Sequence, residues 1–212
     1  MAAYGRPELR SLFDDSPTPH IAHPPRTHRR DFYVATDGSY RDSGAGGLGV
    51  LIETGDGETV ARLAVTDAPP DNNVAEYRAL HLGLDVLAAR APNSARIGVV
   101  VDHDRLAANV NRAMLALARP DAEPPHPVER PTATTNHWRG ILARIGSFDA
   151  LRAARLDSRE NPAHPLANDP VGYAHVNQEP DRCVLPSTLD SAATRTTGEQ
   201  IPPPSRADRH AD

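Results

Sequence analysis

Asp37, Glu76 and Asp102 form the set of residues best suited to chemistry in this 212-residue chain, because each stands where a regular element begins or stops. Asp37 lies near the end of the aromatic and β-branched run DFYVATDGS (31–39), and Asp102 closes IGVVVD (97–102). Glu76 falls in the first turn of a segment that opens Asp71-Asn72-Asn73. In an α/β sheet the carboxyl ends of the central strands meet in one crevice, so acids distant in sequence can converge there. If the first and fourth strands are neighbours, three carboxylates share one point and repel one another by several kcal/mol, even at an effective dielectric of about 20. A divalent cation relieves that repulsion, and hard oxygen ligands favour Mg²⁺ or Mn²⁺. Each acid alone also has a plainer account. Asp37-Gly38-Ser39 can be an ordinary turn and Glu76 a first-turn acid favoured by the helix dipole, while Asp102 and Asp104 can cap the following helix, a role that suits Asp104 best.

The elements that must position these acids follow from the hydrophobic pattern. The runs 31–39, 46–54 and 58–66 read as strands, and Gly55-Asp56-Gly57 between the last two is a hairpin signal. Pro69-Pro70 ends this meander, and 71–91 reads as a helix whose Val74, Tyr77, Leu80, Leu84 and Leu87 share one face. A buried strand (97–102), a helix (105–119), a second helix (136–146), a strand (149–157) and a short terminal helical segment at 161–169 complete the series. The order β-β-β-α-β-α-α-β-α is that of an α/β fold: a mixed sheet with three antiparallel strands first and parallel strands after. Residues 119–135 carry five prolines and are not expected to form a packed helix.

The regular pattern is confined to residues 31–176, one domain of ordinary size. Residues 1–30 and 177–212, rich in Pro, Arg, Asp, Thr and Ser, are expected to be disordered tails. The lone Cys183 excludes a disulfide framework, and no apolar run approaches membrane-spanning length, so a cytoplasmic protein is expected. All 23 basic residues are Arg, yet the net charge is −5. A polyanionic ligand would have to be held by local groups or metal ions rather than by a broadly basic face.

The series TDGS (36–39), NNVAEYRAL (72–80), VVVDHD (99–104), HWRGIL (137–142) and RENPAHPLA (159–167), in this order and spacing, resembles type 1 ribonuclease H over about residues 32–169. The resemblance implies a ribonuclease H-like five-stranded mixed sheet flanked by helices. It also implies endonucleolytic cleavage of the RNA strand of RNA–DNA hybrids, leaving 3′-hydroxyl and 5′-phosphate ends, by a monomer holding two Mg²⁺ or Mn²⁺ ions. One ion would activate water and the other stabilise the leaving oxygen, about 3.5–4 Å apart. Asp37, as bridging ligand, Glu76 and Asp102 match three of the family's four metal-binding acids. Asn72 and Asn73 match its asparagine pair at the hybrid's minor groove, where an amide can donate to or accept from sugar hydroxyls and base edges. Gly38 and Ser39 fall on the substrate side, Gly38 by letting backbone approach RNA closely.

At the fourth acid position the chain departs from the family, with His164 before Pro-Leu-Ala. The resemblance therefore implies a ligand set of three carboxylates and an imidazole, with weaker cation binding and some preference for Mn²⁺. With Asn161 as cap and Pro162 as first helical residue, His164 would stand at the third helical position; Asp169, before Pro170, is the competing ligand. The segment 119–135 carries Asp121, Glu123 and Glu129 where many bacterial members have a basic handle, and Arg159 and Glu160 stand where the family carries a mobile histidine. These departures leave a second expectation open, a catalytically impaired module of the same fold that binds nucleic acid or serves as a scaffold.

Overall fold

In the computed structural model, which describes residues 6–20, 29–118 and 131–179, the first strand explains the architecture. β1 (Phe32–Tyr40) is buried at every position but the last, because both faces of the sheet are covered. Phe32 and Val34 face one core with β2 (Gly46–Thr54) and β3 (Thr59–Asp67); Tyr33 and Ala35 face the other. β4 (Arg96–Val101) and β5 (Ala150–Arg155) run parallel to β1, giving the order β3-β2-β1-β4-β5. This is the mixed sheet expected from the sequence, with β1–β2 and β2–β3 antiparallel. Gly57 closes the hairpin before β3 with φ +83°, a conformation that favours glycine.

Three helices cover the first face. α2 (Asn72–Ala88) buries Val74, Tyr77, Leu80, Leu84 and Leu87, and its N-terminus is capped by Asp71, whose carboxylate accepts from Val74 N at 2.8 Å. α3 (Asp104–Ala118) and α4 (Thr135–Ile145) complete the layer, with Trp138 edge-on to Tyr77. On the opposite face lie two short helices. α5 (His164–Asn168) packs on β1, β2 and β3; α1 (Leu9–Asp15) packs on β1 and β4.

Within the expected disordered tail 1–30, of which residues 1–5 and 21–28 lie outside the described residues, Leu9–Asp15 form a helix, a correction for that stretch. Its Leu9 and Phe13 are buried against Tyr33, Leu51 and Val100, and Glu53, a buried carboxylate on β2, accepts from Leu9 N at 2.8 Å and pairs with Arg6. Past the expected boundary at 176, Gln178 pairs with Arg62 of β3, and Asn177 bonds both the N–H and the C=O of Ala64. The Pro-rich readings of 119–130 and the tail beyond 179 lie outside the described residues. Among the described residues, no helix is long and apolar enough to cross a membrane.

Candidate metal and nucleic-acid site

The parallel register sets the first two acids side by side. β1 and β4 pair from Phe32↔Ile97 to Ala35↔Val100, and the same register carried two residues further puts Asp37 level with Asp102. Asp102 follows directly on the last residue of β4, so its side chain sits at the strand end rather than within the sheet. Glu76 approaches Asp102 and Asp37 from the first turn of α2 because of Gly38, although it stands outside the group of Asp37, Asp102 and His164 whose ligand atoms lie within 4.8 Å of one another. A Cβ on Gly38 would lie 2.2 Å from Ala75 C and 2.4 Å from Glu76 N, so the missing side chain is what allows β1 and α2 to touch. The structure thus gives Gly38 a reason different from the expected one: its open side is filled by protein, not held clear for RNA.

His164 arrives through a second set of glycines. Gly47 and Gly49 on β2 lie under α5, where a Cβ would come within 2.4 Å of Ala167 O and 2.2 Å of Ala163 O respectively. The Ser39 hydroxyl donates to Ala167 O at 2.6 Å, and Asn161 Nδ2 donates to Thr36 O at 2.9 Å, which ties both ends of α5 to β1 beside Asp37. Asn161 is not the helix cap. Its Oδ1 accepts from Ala163 N at 3.0 Å in a tight turn, the helix begins at His164, and Pro165 occupies the first turn. Pro165, lacking an N–H, is tolerated there because the first-turn amides have no intrahelical partner in any case.

His164 Nδ1 lies 3.3 Å from Asp37 Oδ2, and one ligand atom from each of Asp37, Asp102 and His164 falls within 4.8 Å of the others. Asp169 is not in this group; its Oδ1 accepts from Gly172 N, forming the turn after α5. Asp37 is 2% exposed, and burial, with the Asp102 carboxylate beside it, pushes its carboxyl up to about 8. Glu76, also 2% exposed, is pushed well above the usual carboxylate range by burial and then by Asp102 and Asp37; its Oε2 has no hydrogen-bond partner. Buried carboxylates that repel one another, with an unpartnered oxygen among them, fit a hard divalent cation.

Asn72 and Asn73 are exposed at the start of α2, at the rim of this site. Asn73 Oδ1 lies 2.9 Å from His103 Nε2. The cap of α3 is His103 rather than Asp104, since His103 Nδ1 accepts from Leu106 N at 3.0 Å and its carbonyl from Ala107 N. Asp104 instead pairs with Arg155. No sequence signal pointed to His103, because histidine is an uncommon cap and stood between two better ones.

Neither protein-family models nor curated proteins match the chain. Solved structures do. The N-terminal RNase H domain of Rv2228c from Mycobacterium tuberculosis, solved as a fusion with maltose binding protein, is 23% identical, with a TM-score of 0.53 over 65% of this chain and 96% of that one. LC11-RNase H1 in complex with an RNA/DNA hybrid is 22% identical, with a TM-score of 0.53 over 68% of this chain and 99% of that one. LC11-RNase H1 isolated from compost by a metagenomic approach is 23% identical, with a TM-score of 0.51 over 69% and 99%. The chain has a ribonuclease H-like fold, of the type 1 arrangement.

Proposed function

We propose that the protein is a metal-dependent endonuclease that hydrolyses the RNA strand of RNA–DNA hybrids. The observation that carries this reading is the convergence of Asp37, Asp102 and His164 within 4.8 Å, beside the buried, unpartnered Glu76 Oε2, at the strand ends. A folded chain gains nothing from holding such mutually repelling acids together unless a cation joins them. Support also comes from the fold, which this chain shares with LC11-RNase H1, a protein solved with an RNA/DNA hybrid bound.

In this reading Asp37, Glu76, Asp102 and His164 hold two Mg²⁺ or Mn²⁺ ions. Such ions supply Lewis acidity and a more acidic bound water at neutral pH. The chain's own part is positional. Asp37, fixed between Gly49 of β2 and the end of β4, keeps the carboxylates from spreading, and Asn161 and Ser39 hold α5 so that the imidazole faces Asp37. In this reading Asn72 and Asn73, exposed in the first turn of α2, would meet sugars and base edges, where the 2′-hydroxyl distinguishes RNA from DNA.

The test is a panel of labelled substrates, comprising an RNA–DNA hybrid, duplex RNA, duplex DNA and single strands, incubated with the parent and with Asp37→Asn in Mg²⁺ and in Mn²⁺. The reading predicts cutting of the hybrid's RNA strand alone, lost in the variant. Cutting of duplex DNA, or equal cutting by the variant, contradicts it, and hybrid binding without cutting at any salt would favour the impaired binding module.

A further inference from the structure

The His103–Asn73 contact carries information about how the rim reads its ligand. His103 Nδ1 accepts the Leu106 N–H at 3.0 Å, so that nitrogen bears no proton and the ring is neutral with its hydrogen on Nε2. Nε2–H can only donate, so the Asn73 atom 2.9 Å away must be the carbonyl oxygen. The side-chain amide orientation of Asn73 is therefore fixed by the cap of α3. The ring itself is braced edge-on by Tyr77 at 6.3 Å, whose hydroxyl accepts from Asn109 Nδ2 at 3.0 Å. With Oδ1 occupied, Nδ2 is left without a protein partner among the described residues, at an exposed position on the first turn of α2, three residues before Glu76.

We infer that His103 is a positioning residue that turns Asn73 so that it presents two N–H donors, and no acceptor, to the nucleic acid. A donor at the minor groove can bond N3 of a purine, O2 of a pyrimidine or the oxygen of a 2′-hydroxyl, acceptors that every base pair or ribose offers. The contact therefore reads the hybrid without preference for base sequence. The same histidine caps α3 directly after Asp102, so one side chain couples the substrate rim to the strand end that carries a metal-site acid. This inference rests on the hybrid-cleaving function proposed above.

The test is a double-mutant cycle in steady-state cleavage of one labelled hybrid in Mn²⁺, using the full chain. His103→Ser keeps a capping oxygen for α3 but cannot reach Asn73, which separates the cap from the positioning role. Asn73→Ala and His103→Ser are each expected to raise KM by roughly five-fold, the size of one neutral hydrogen bond, with the loss falling in KM rather than kcat. The double variant is expected to lose no more than either single one. Asn73→Asp keeps the acceptor for His103 and removes the donors, so it is expected to lose at least as much as Asn73→Ala. A His103→Ser protein with parental KM, effects that multiply in the double variant, or an Asn73→Asp protein with parental KM would each overturn the inference. Should His103→Ser lower the thermal midpoint, His103→Asn, a stronger cap for α3 and likewise too short to reach Asn73, takes its place in the cycle, and parental KM there overturns the inference. A parent that cuts no hybrid would overturn the functional reading and this inference with it; a parent that cuts while the cycle is additive overturns the inference alone.

Discussion

Replacing Asp37 by Asn should make the metal-free protein more stable. Asp37 and Asp102 offer ligand atoms within 4.8 Å of one another, and two unit charges at that distance repel by about 3.5 kcal/mol at an effective dielectric of about 20. The raised carboxyl of Asp37, at about 8, points the same way, with burial as its main cause. In the interval between the ordinary carboxylate value and about 8, the folded state binds the proton more tightly than the unfolded one. Stability of the metal-free parent therefore falls as pH rises through that interval. Asn removes the charge and keeps the shape, so at pH 8 in EDTA the variant should be more stable by about 2–4 kcal/mol, roughly 5–12 °C in Tm. The difference should shrink as pH falls and close only near pH 4, where the unfolded parent's carboxyl is protonated as well. Millimolar Mn²⁺ should raise the parent's midpoint and leave that of the variant nearly unchanged. Differential scanning fluorimetry across pH, with and without Mn²⁺, reads all of this. A variant no more stable than the parent at pH 8, or a difference that does not depend on pH, would refute the electrostatic account of the site.

Other perturbations give separate checks. His164→Ala should lower hybrid cleavage more in Mg²⁺ than in Mn²⁺, measured as the ratio of initial rates; equal loss in both metals would remove imidazole from the ligand set. Gly49→Ala would place a methyl 2.2 Å from Ala163 O, so it should lift α5 from β2, cost about 1–3 kcal/mol in urea unfolding and lower cleavage by displacing His164. His81 and His137, with Nδ1 atoms 3.4 Å apart between α2 and α4, are held down to about 4, His81 by burial and then Arg144, and His137 by burial, then His81 and Arg78. Their unfolded forms take protons first, so stability should fall as pH drops from about 6.5 to 4, with a slope of up to about 1.4 kcal/mol per pH unit for each histidine. His137→Gln should flatten that slope by about half in chemical denaturation at stepped pH.

The sheet and its acids were legible because their signals are local. Strand runs, the Asp56-Gly57 break and the Asp71 cap each specify a short stretch, and Asp37 and Asp102 announce themselves by ending apolar runs. What could not be seen depends on which groups fill space across the fold. Gly38, Gly47 and Gly49 are ordinary glycines in sequence, yet each missing side chain admits the backbone of a helix that brings a functional side chain to Asp37. α1 was hidden because Leu9, Leu12 and Phe13 are three apolar residues at helical spacing inside a polar, Pro-containing segment, and Glu53, which accepts from Leu9 N, lies 44 positions away. His164 entered only through the family resemblance, since nothing in its neighbourhood distinguishes a ligand from a surface histidine. The late start of α5 and the capping role of His103 escaped because cap preferences rank side chains in isolation, whereas here the tertiary contacts of Asn161 with Thr36 and of His103 with Asn73 decide.

In the proposed function the acids and His164 direct hydrolysis of RNA by water. The most direct measurement is therefore the chemistry of the cut ends, read by mass spectrometry after incubation of an RNA–DNA hybrid with the parent in Mn²⁺. Metal-directed attack by water predicts fragments ending in 3′-hydroxyl and 5′-phosphate, formed only with the metal and absent with Asp102→Asn. Fragments bearing 2′,3′-cyclic phosphates, or cutting that persists in EDTA, would mean that the 2′-hydroxyl is the nucleophile and would contradict the assignment of this site.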